Sequence, residues 1–339
     1  MPRRLILLVP LAALVAAGLF VLGRAPRPQP EAQAILTPED YRRVEGEFVA
    51  VLKERGAGAA LSALRSRVAS DPAVARDCHA IAHTLGHEAY EKAGDFGRAL
   101  AQTDEICNSG FFHGVIEAHF AGVDDVPAAA RTTCAAYRPD TYLGWECYHG
   151  IGHGLMFSSA NDLPRSVELC EAYDDTTARD NCVNGVYMEN FNVERKLHPS
   201  SYLKDDDPFF PCDEAGTGHK RECYLYAPTF YLSLHPGRYA DALAWCRQAE
   251  AGFRIDCIHG VGGQTFKEHP DQPSFVERVC RGGRQDEIEP CIRGMASLAF
   301  FHYGDPEQVR VLCGKLERGD RPACLAALKD LEYLYPPAR

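Results

Sequence analysis

The chain has 339 residues, 46% hydrophobic and 24% charged, which describes a folded body long enough for two ordinary domains or one elongated repeat array. Its formal charge of −11 argues against a nucleic-acid partner, because no basic field exists to neutralise phosphates. An acidic balance suits a cationic ligand or a metal ion, and serves solubility equally well.

Arg3 and Arg4 precede an uncharged run from Leu5 to Gly23. At ~1.5 Å per residue that run spans roughly 28 Å, close to the ~30 Å hydrocarbon core of a bilayer, and no small-x-small cleavage site follows closely. Residues 1–24 are therefore expected to be a signal anchor that binds the protein to a membrane. Residues 25–37 carry Pro26, Pro28 and Pro30 and are expected to be an extended linker. Thr37, Pro38, Glu39 and Asp40 then form a helix-start signal, and the helix they open is predicted to run to about Lys53.

Residues 38–335 are predicted to be one all-α domain of helix pairs, and its fourteen cysteines set the period. Cys134/Cys147, Cys170/Cys182, Cys212/Cys223, Cys246/Cys257, Cys280/Cys291 and Cys313/Cys324 stand 13, 12, 11, 11, 11 and 11 residues apart. No C-x-x-C motif occurs, so after an export signal these read as a disulfide framework rather than a zinc or redox pattern. Cys78 and Cys107 remain and pair by parity, although spacing alone does not fix connectivity. The body is accordingly expected outside the cytoplasm, in a periplasmic or extracellular space. In each pair one cysteine falls late in a first helix and the other early in a second, where a bridge clamps the turn between them. Pro322 is expected to start the helix that carries Cys324, and a turn after Cys280 to lead into the helix of Cys291. Glycine three residues after the cysteine (Gly110, Gly150, Gly185, Gly260, Gly294) is expected to let the paired helices approach closely. One interruption, from about Phe191 to Pro211, is rich in proline, aspartate and aromatics and is expected to fold onto the array as a lid or wall.

Helix pairs of about 34 residues, with Ala82, Leu85, Gly86, Tyr90 and Gly94 at Sel1-like spacing, resemble Sel1-like and tetratricopeptide repeats, and the cysteine staples resemble the secreted cysteine-rich members of that group. The resemblance implies an α/α superhelical solenoid of about eight disulfide-stapled helical hairpins. It also implies a scaffold that binds a protein or peptide on its solenoid face.

The histidines point elsewhere. His83 and His87, His113 and Glu117, and His149 and His153 each stand four apart, on three successive cysteine-bearing helices. His113 and His153 are six residues after their cysteines, and His83 is five after Cys78. If equivalent helices stack, His83, His87, His113, His149, His153 and Glu117 converge as ligands for a transition metal such as zinc, copper or iron. The alternatives are histidines bonded to backbone and to each other, histidines lining a peptide groove, and a metal-free acid/base site. Asn184, Glu189 and Asn190 extend the polar face into the next repeat, whereas His259 repeats His149 but Gly263 stands where His153 would recur. His87-Glu88 lacks the second histidine of a metalloprotease helix, and no serine elbow, phosphate loop or dinucleotide fingerprint is present. Two functions follow: a metal-binding protein or metalloenzyme, and an interaction scaffold without metal.

Overall fold

The computed structural model describes residues 36–334, apart from residues 103, 105, 193–199, 215 and 271. The expected anchor, most of the linker and part of the 191–211 segment lie outside the described residues. No helix among the described residues is long and apolar enough to cross a membrane.

The described chain is all-α, with sixteen helices. In order they are α1 (Pro38–Arg55), α2 (Ala57–Val68), α3 (Pro72–Ala93), α4 (Phe96–Leu100), α5 (Ile106–Ala121), α6 (Val126–Thr133), α7 (Tyr142–Ser158) and α8 (Leu163–Glu171). There follow α9 (Thr176–Asn192), α10 (Lys220–Leu234), α11 (Tyr239–Cys246), α12 (Arg254–Glu268), α13 (Pro273–Cys280), α14 (Gln285–Tyr303), α15 (Pro306–Gly314) and α16 (Arg321–Leu331).

The start signals act as their chemistry dictates. Thr37 accepts a hydrogen bond from the Asp40 N–H ahead of α1, and Asp71, Asp125, Asp162 and Asp305 cap helices that open with proline in the first turn. From α3 onward long helices alternate with short ones. The long helices α3, α5, α7, α9, α10, α12, α14 and α16 pack each on the next, and the short ones pack outside them. Between α9 and α10 an irregular segment replaces the short helix. Its Phe209 stacks on Trp245 with ring centroids 3.9 Å apart, so the described part is a wall against the second half of the array.

All fourteen cysteines are bridged, in the pairs that the spacing predicts. Cys134–Cys147, Cys170–Cys182, Cys246–Cys257, Cys280–Cys291 and Cys313–Cys324 each clamp a short helix to the following long one. Cys212, in the irregular segment, clamps to Cys223 of α10. Each closes a loop of 11 to 13 residues, worth ~3 kcal/mol in the chain-entropy account. Cys78–Cys107 differs, because it joins two long helices, α3 and α5, across a separation of 29 residues. The α1/α2 pair carries no staple, so seven stapled units stand where about eight were expected.

One helix start departs in detail from the expected placement, that of α16. Cys291 lies early in its helix, as expected: α14 begins at Gln285, and Pro290 and Cys291 lie in its second turn. The Glu287 carboxylate accepts from the Arg284 N–H at 2.7 Å, which fixes the helix start well before the bridge. Cys324 does close the first turn of α16, but that helix opens at Arg321 rather than at Pro322, which takes the second position without needing an N–H partner.

The glycines correct a further expectation. A Cβ on Gly185 would lie 1.9 Å from the carbonyl oxygen of His149, on the preceding long helix, not on the bridged partner. Gly294 meets the His259 carbonyl at the same 1.9 Å, and Gly262 of α12 meets the Cys291 carbonyl likewise. Gly110 alone keeps to the expectation, since its Cβ would lie 2.5 Å from the His79 carbonyl oxygen on the helix bridged to its own; elsewhere the staple holds the short helix, and glycine brings long helix onto long helix.

The array also curls. α14 packs on α5 as well as on its sequence neighbours, and α12 packs on α3. At the seam Trp145 stacks on Phe301 at 3.9 Å, and the Tyr142 hydroxyl donates to the Phe301 carbonyl. The inner face of the first half is thereby covered by the second half rather than left as an open groove.

Candidate metal centre

α5 shows why the site lies where it does, since it is apolar nearly all round and buried on every side. Phe111 and Val115 face one hydrophobic core with α3; Phe112, Ile116 and Phe120 face another with α7. His113 and Glu117, four apart, occupy the remaining stripe and point to the interior. α3 brings His79, His83 and His87 to the same place, α7 brings Glu146, His149 and His153, and α9 brings Met188 and Glu189.

Oxygen atoms on the outside orient the rings. His79 Nδ1 lies 2.7 Å from the Cys107 carbonyl oxygen, which only accepts, so Nδ1 carries the proton and Nε2 faces inward with its lone pair. Glu189 Oε2 is 2.7 Å from His153 Nδ1, and Glu146 Oε2 is 3.2 Å from His113 Nε2. Glu117 takes two rings, His83 Nδ1 at 2.8 Å and His87 Nε2 at 2.7 Å. Pairing of an imidazole's outer nitrogen with a carboxylate or carbonyl is the arrangement that fixes tautomer and orientation in metal sites.

The inner nitrogens crowd together. His79 Nε2 and His83 Nε2 are 3.0 Å apart, and His149 Nε2 and His153 Nε2 are 3.1 Å apart. His113 stacks on His153 with centroids 4.6 Å apart, and its Nδ1 is buried without a hydrogen-bond partner. A nitrogen-to-nitrogen spacing of ~3 Å is what two imidazoles take when each lies ~2.0–2.1 Å from one first-row metal ion. Among the described residues two groups have ligand atoms all within 4.8 Å of one another: His79, His113 and His153, and His83, Glu117 and His153. His153 belongs to both.

Burial sets the charge states. It pushes His79, His113 and His149 well below the ordinary imidazole range, and neighbouring rings push them further. Burial acts the same way on His83, but the Glu117 carboxylate outweighs it and the net shift is upward. For Glu117 burial acts upward and is outweighed by His83 and His87, so its carboxyl sits well below the carboxylate range. His79, His113 and His149 thus offer neutral imidazoles and Glu117 an ionised carboxylate, the forms that bind metal.

A strained turn completes one edge. Cys107, Asn108 and Ser109 take left-handed φ values of 58°, 56° and 54°, each costing roughly 1–2 kcal/mol for a residue with a Cβ. The turn places the Cys107 carbonyl oxygen within reach of His79. A cleft of about 610 Å³, lined among others by Ser109, Phe112, Tyr142 and Tyr303, opens beside Glu146.

The six residues that the sequence singles out are therefore brought together, in two ranks. His83, His113, His149, His153 and Glu117 are in the cluster. His87 reaches it only through Glu117, and its side chain is 27% exposed where that of His153 is 0%. His79, Glu146 and Met188 belong to the cluster without having been expected there. His79 stands four before His83, which extends that helix's histidine run to three; Met188 stands six after Cys182, the register of His113 and His153. Glu146 carries no such signal. The cysteines divide as well. Cys107 serves the centre through its carbonyl, whereas Cys246–Cys257, Cys280–Cys291 and Cys313–Cys324 serve the fold alone, on helices that give the cluster no ligand atom.

Comparison with family models, with curated proteins and with solved structures finds no match.

Proposed function

We propose that this chain is a metal-binding protein of an oxidising, extracytoplasmic compartment, held to a membrane by its N-terminal segment, whose centre takes one or more transition-metal ions. The observation that carries the reading is the convergence of His79, His113 and His153, whose ligand atoms lie within 4.8 Å of one another while each ring has one nitrogen engaged by an oxygen. Buried polar atoms are rarely left unpaired, and the buried His113 Nδ1 is one of them. Seven closed bridges with no free cysteine support the compartment. The cluster's burial weighs against histidines that merely line a peptide groove. The cleft beside Glu146 gives a small molecule a place next to the centre, which favours a metalloenzyme as the second reading.

The test is metal content of the secreted protein, purified without a histidine tag, for the wild type and His153→Ala. Near-stoichiometric metal in the wild type, lost in the variant while its helical circular dichroism is unchanged, is the expected result. Substoichiometric metal in both removes the reading and leaves an interaction scaffold.

A further inference from the structure

Met188 is not a random core methionine. It stands six residues after Cys182, in the register that places His113 and His153 six residues after Cys107 and Cys147. Three successive long helices therefore present His, His and Met from equivalent positions. The geometry agrees, since Met188 Sδ lies 3.2 Å from His149 Nε2, which is itself 3.1 Å from His153 Nε2. Glu189 Oε2 engages His153 Nδ1 at 2.7 Å, which leaves His153 Nε2 directed at His149 Nε2. The three donor atoms thus lie in consecutive contact, where a single cation would accept all three lone pairs.

We propose that Met188 is a thioether ligand of the centre and that the ion it selects is copper, in the Cu(I) state above all. This rests on the metal-binding reading and deepens it. Thioether sulfur is a soft donor that suits Cu(I) and contributes little to zinc, while imidazoles serve both. Every cysteine is bridged, so Met188 is the soft donor the cluster has. Preference for Cu(II) over zinc would decide nothing, because most nitrogen sites show it.

The experiment is competition of the full-length protein against a colorimetric Cu(I) chelator in ascorbate, with zinc affinity measured separately, for wild type, Met188→Leu and Met188→His. Leucine keeps the volume and removes the sulfur. The expected result is Cu(I) affinity lowered at least tenfold by Met188→Leu with zinc affinity within threefold of wild type, and a sulfur scatterer in the copper absorption spectrum that the variant lacks. Met188→His is expected to raise zinc affinity and erase the Cu(I) preference. Cu(I) affinity unchanged in Met188→Leu, or Cu(I) and zinc weakened equally, overturns the copper assignment while zinc binding by the wild type leaves the metal reading standing. Binding of neither ion by the wild type overturns both.

Discussion

The two halves of the array share one construction and differ in what they turn inward. In the first half the positions six after the long-helix cysteines hold Thr84, His113, His153 and Met188; in the second they hold Thr229, Gly263, Ser297 and Asp330. Glu117, ten after Cys107, has Lys267 as its counterpart ten after Cys257. Lys267 is half-buried and bonds Asn192 Oδ1 at 2.9 Å, and its pKa is pushed down to about 8, by burial first. The staples and the glycine contacts are alike in both halves, down to Gly185 on the His149 carbonyl and Gly294 on the His259 carbonyl. Fold and site are thus written on different faces of the same helices, and the site face is filled in one half alone.

That separation can be broken most forcefully at the glycines. Gly185→Ala and Gly294→Ala each drive a methyl group into a carbonyl oxygen, where overpacking costs ~3 kcal/mol or more. Equal losses of melting temperature in the two variants are expected; a much smaller loss at Gly294 would mean the halves are not built alike.

A pH series sharpens the contrast. His259 lacks the ring partners of His149, yet burial, then Arg293 and Arg221, push it down to about 4. The unfolded chain takes a proton near 6.5 and the folded chain does not, so stability is full above about 6.5 and falls as pH drops toward about 4. Urea melts of wild type and His259→Asn should differ across that window by on the order of 3 kcal/mol and coincide above it. Identical acid limbs would show that this ring is free to protonate in the fold.

The smallest expected effect is at Glu189, which holds His153 from outside. Glu189→Gln keeps a hydrogen-bond acceptor but removes its charge, and such changes lower metal affinity 10–100-fold without unfolding. Titration with Zn(II) measures it; an affinity within twofold of wild type would make Glu189 a bystander.

Much of the fold is legible in the sequence because its determinants are local. Cysteine pairs 11 to 13 apart and Asp–Pro starts announce a stapled hairpin wherever they occur. The curl is not legible, since α14 meets α5 through apolar contacts between residues far apart in the chain. Nor is the exact start of α14, because Arg284 is not a cap-type residue and the start is marked only by Glu287 accepting from its N–H. The histidine pairs are legible through their i, i+4 spacing. His79 is hidden because Cys78 sits well inside α3, bridged to another long helix, so counting from it runs one residue out of register. The role of the glycines is obscured for a related reason: a period shows that a close approach recurs, not which neighbour is approached.

The bridge between Cys78 and Cys107 has a consequence for maturation. Cys78 is the covalent neighbour of His79, and Cys107 supplies the carbonyl that orients that imidazole. Oxidation of this one thiol pair therefore fixes the ring before any ion arrives. A chain in which this pair is reduced lacks that fixation, so on the proposed metal-binding reading capture of an ion would follow oxidative folding.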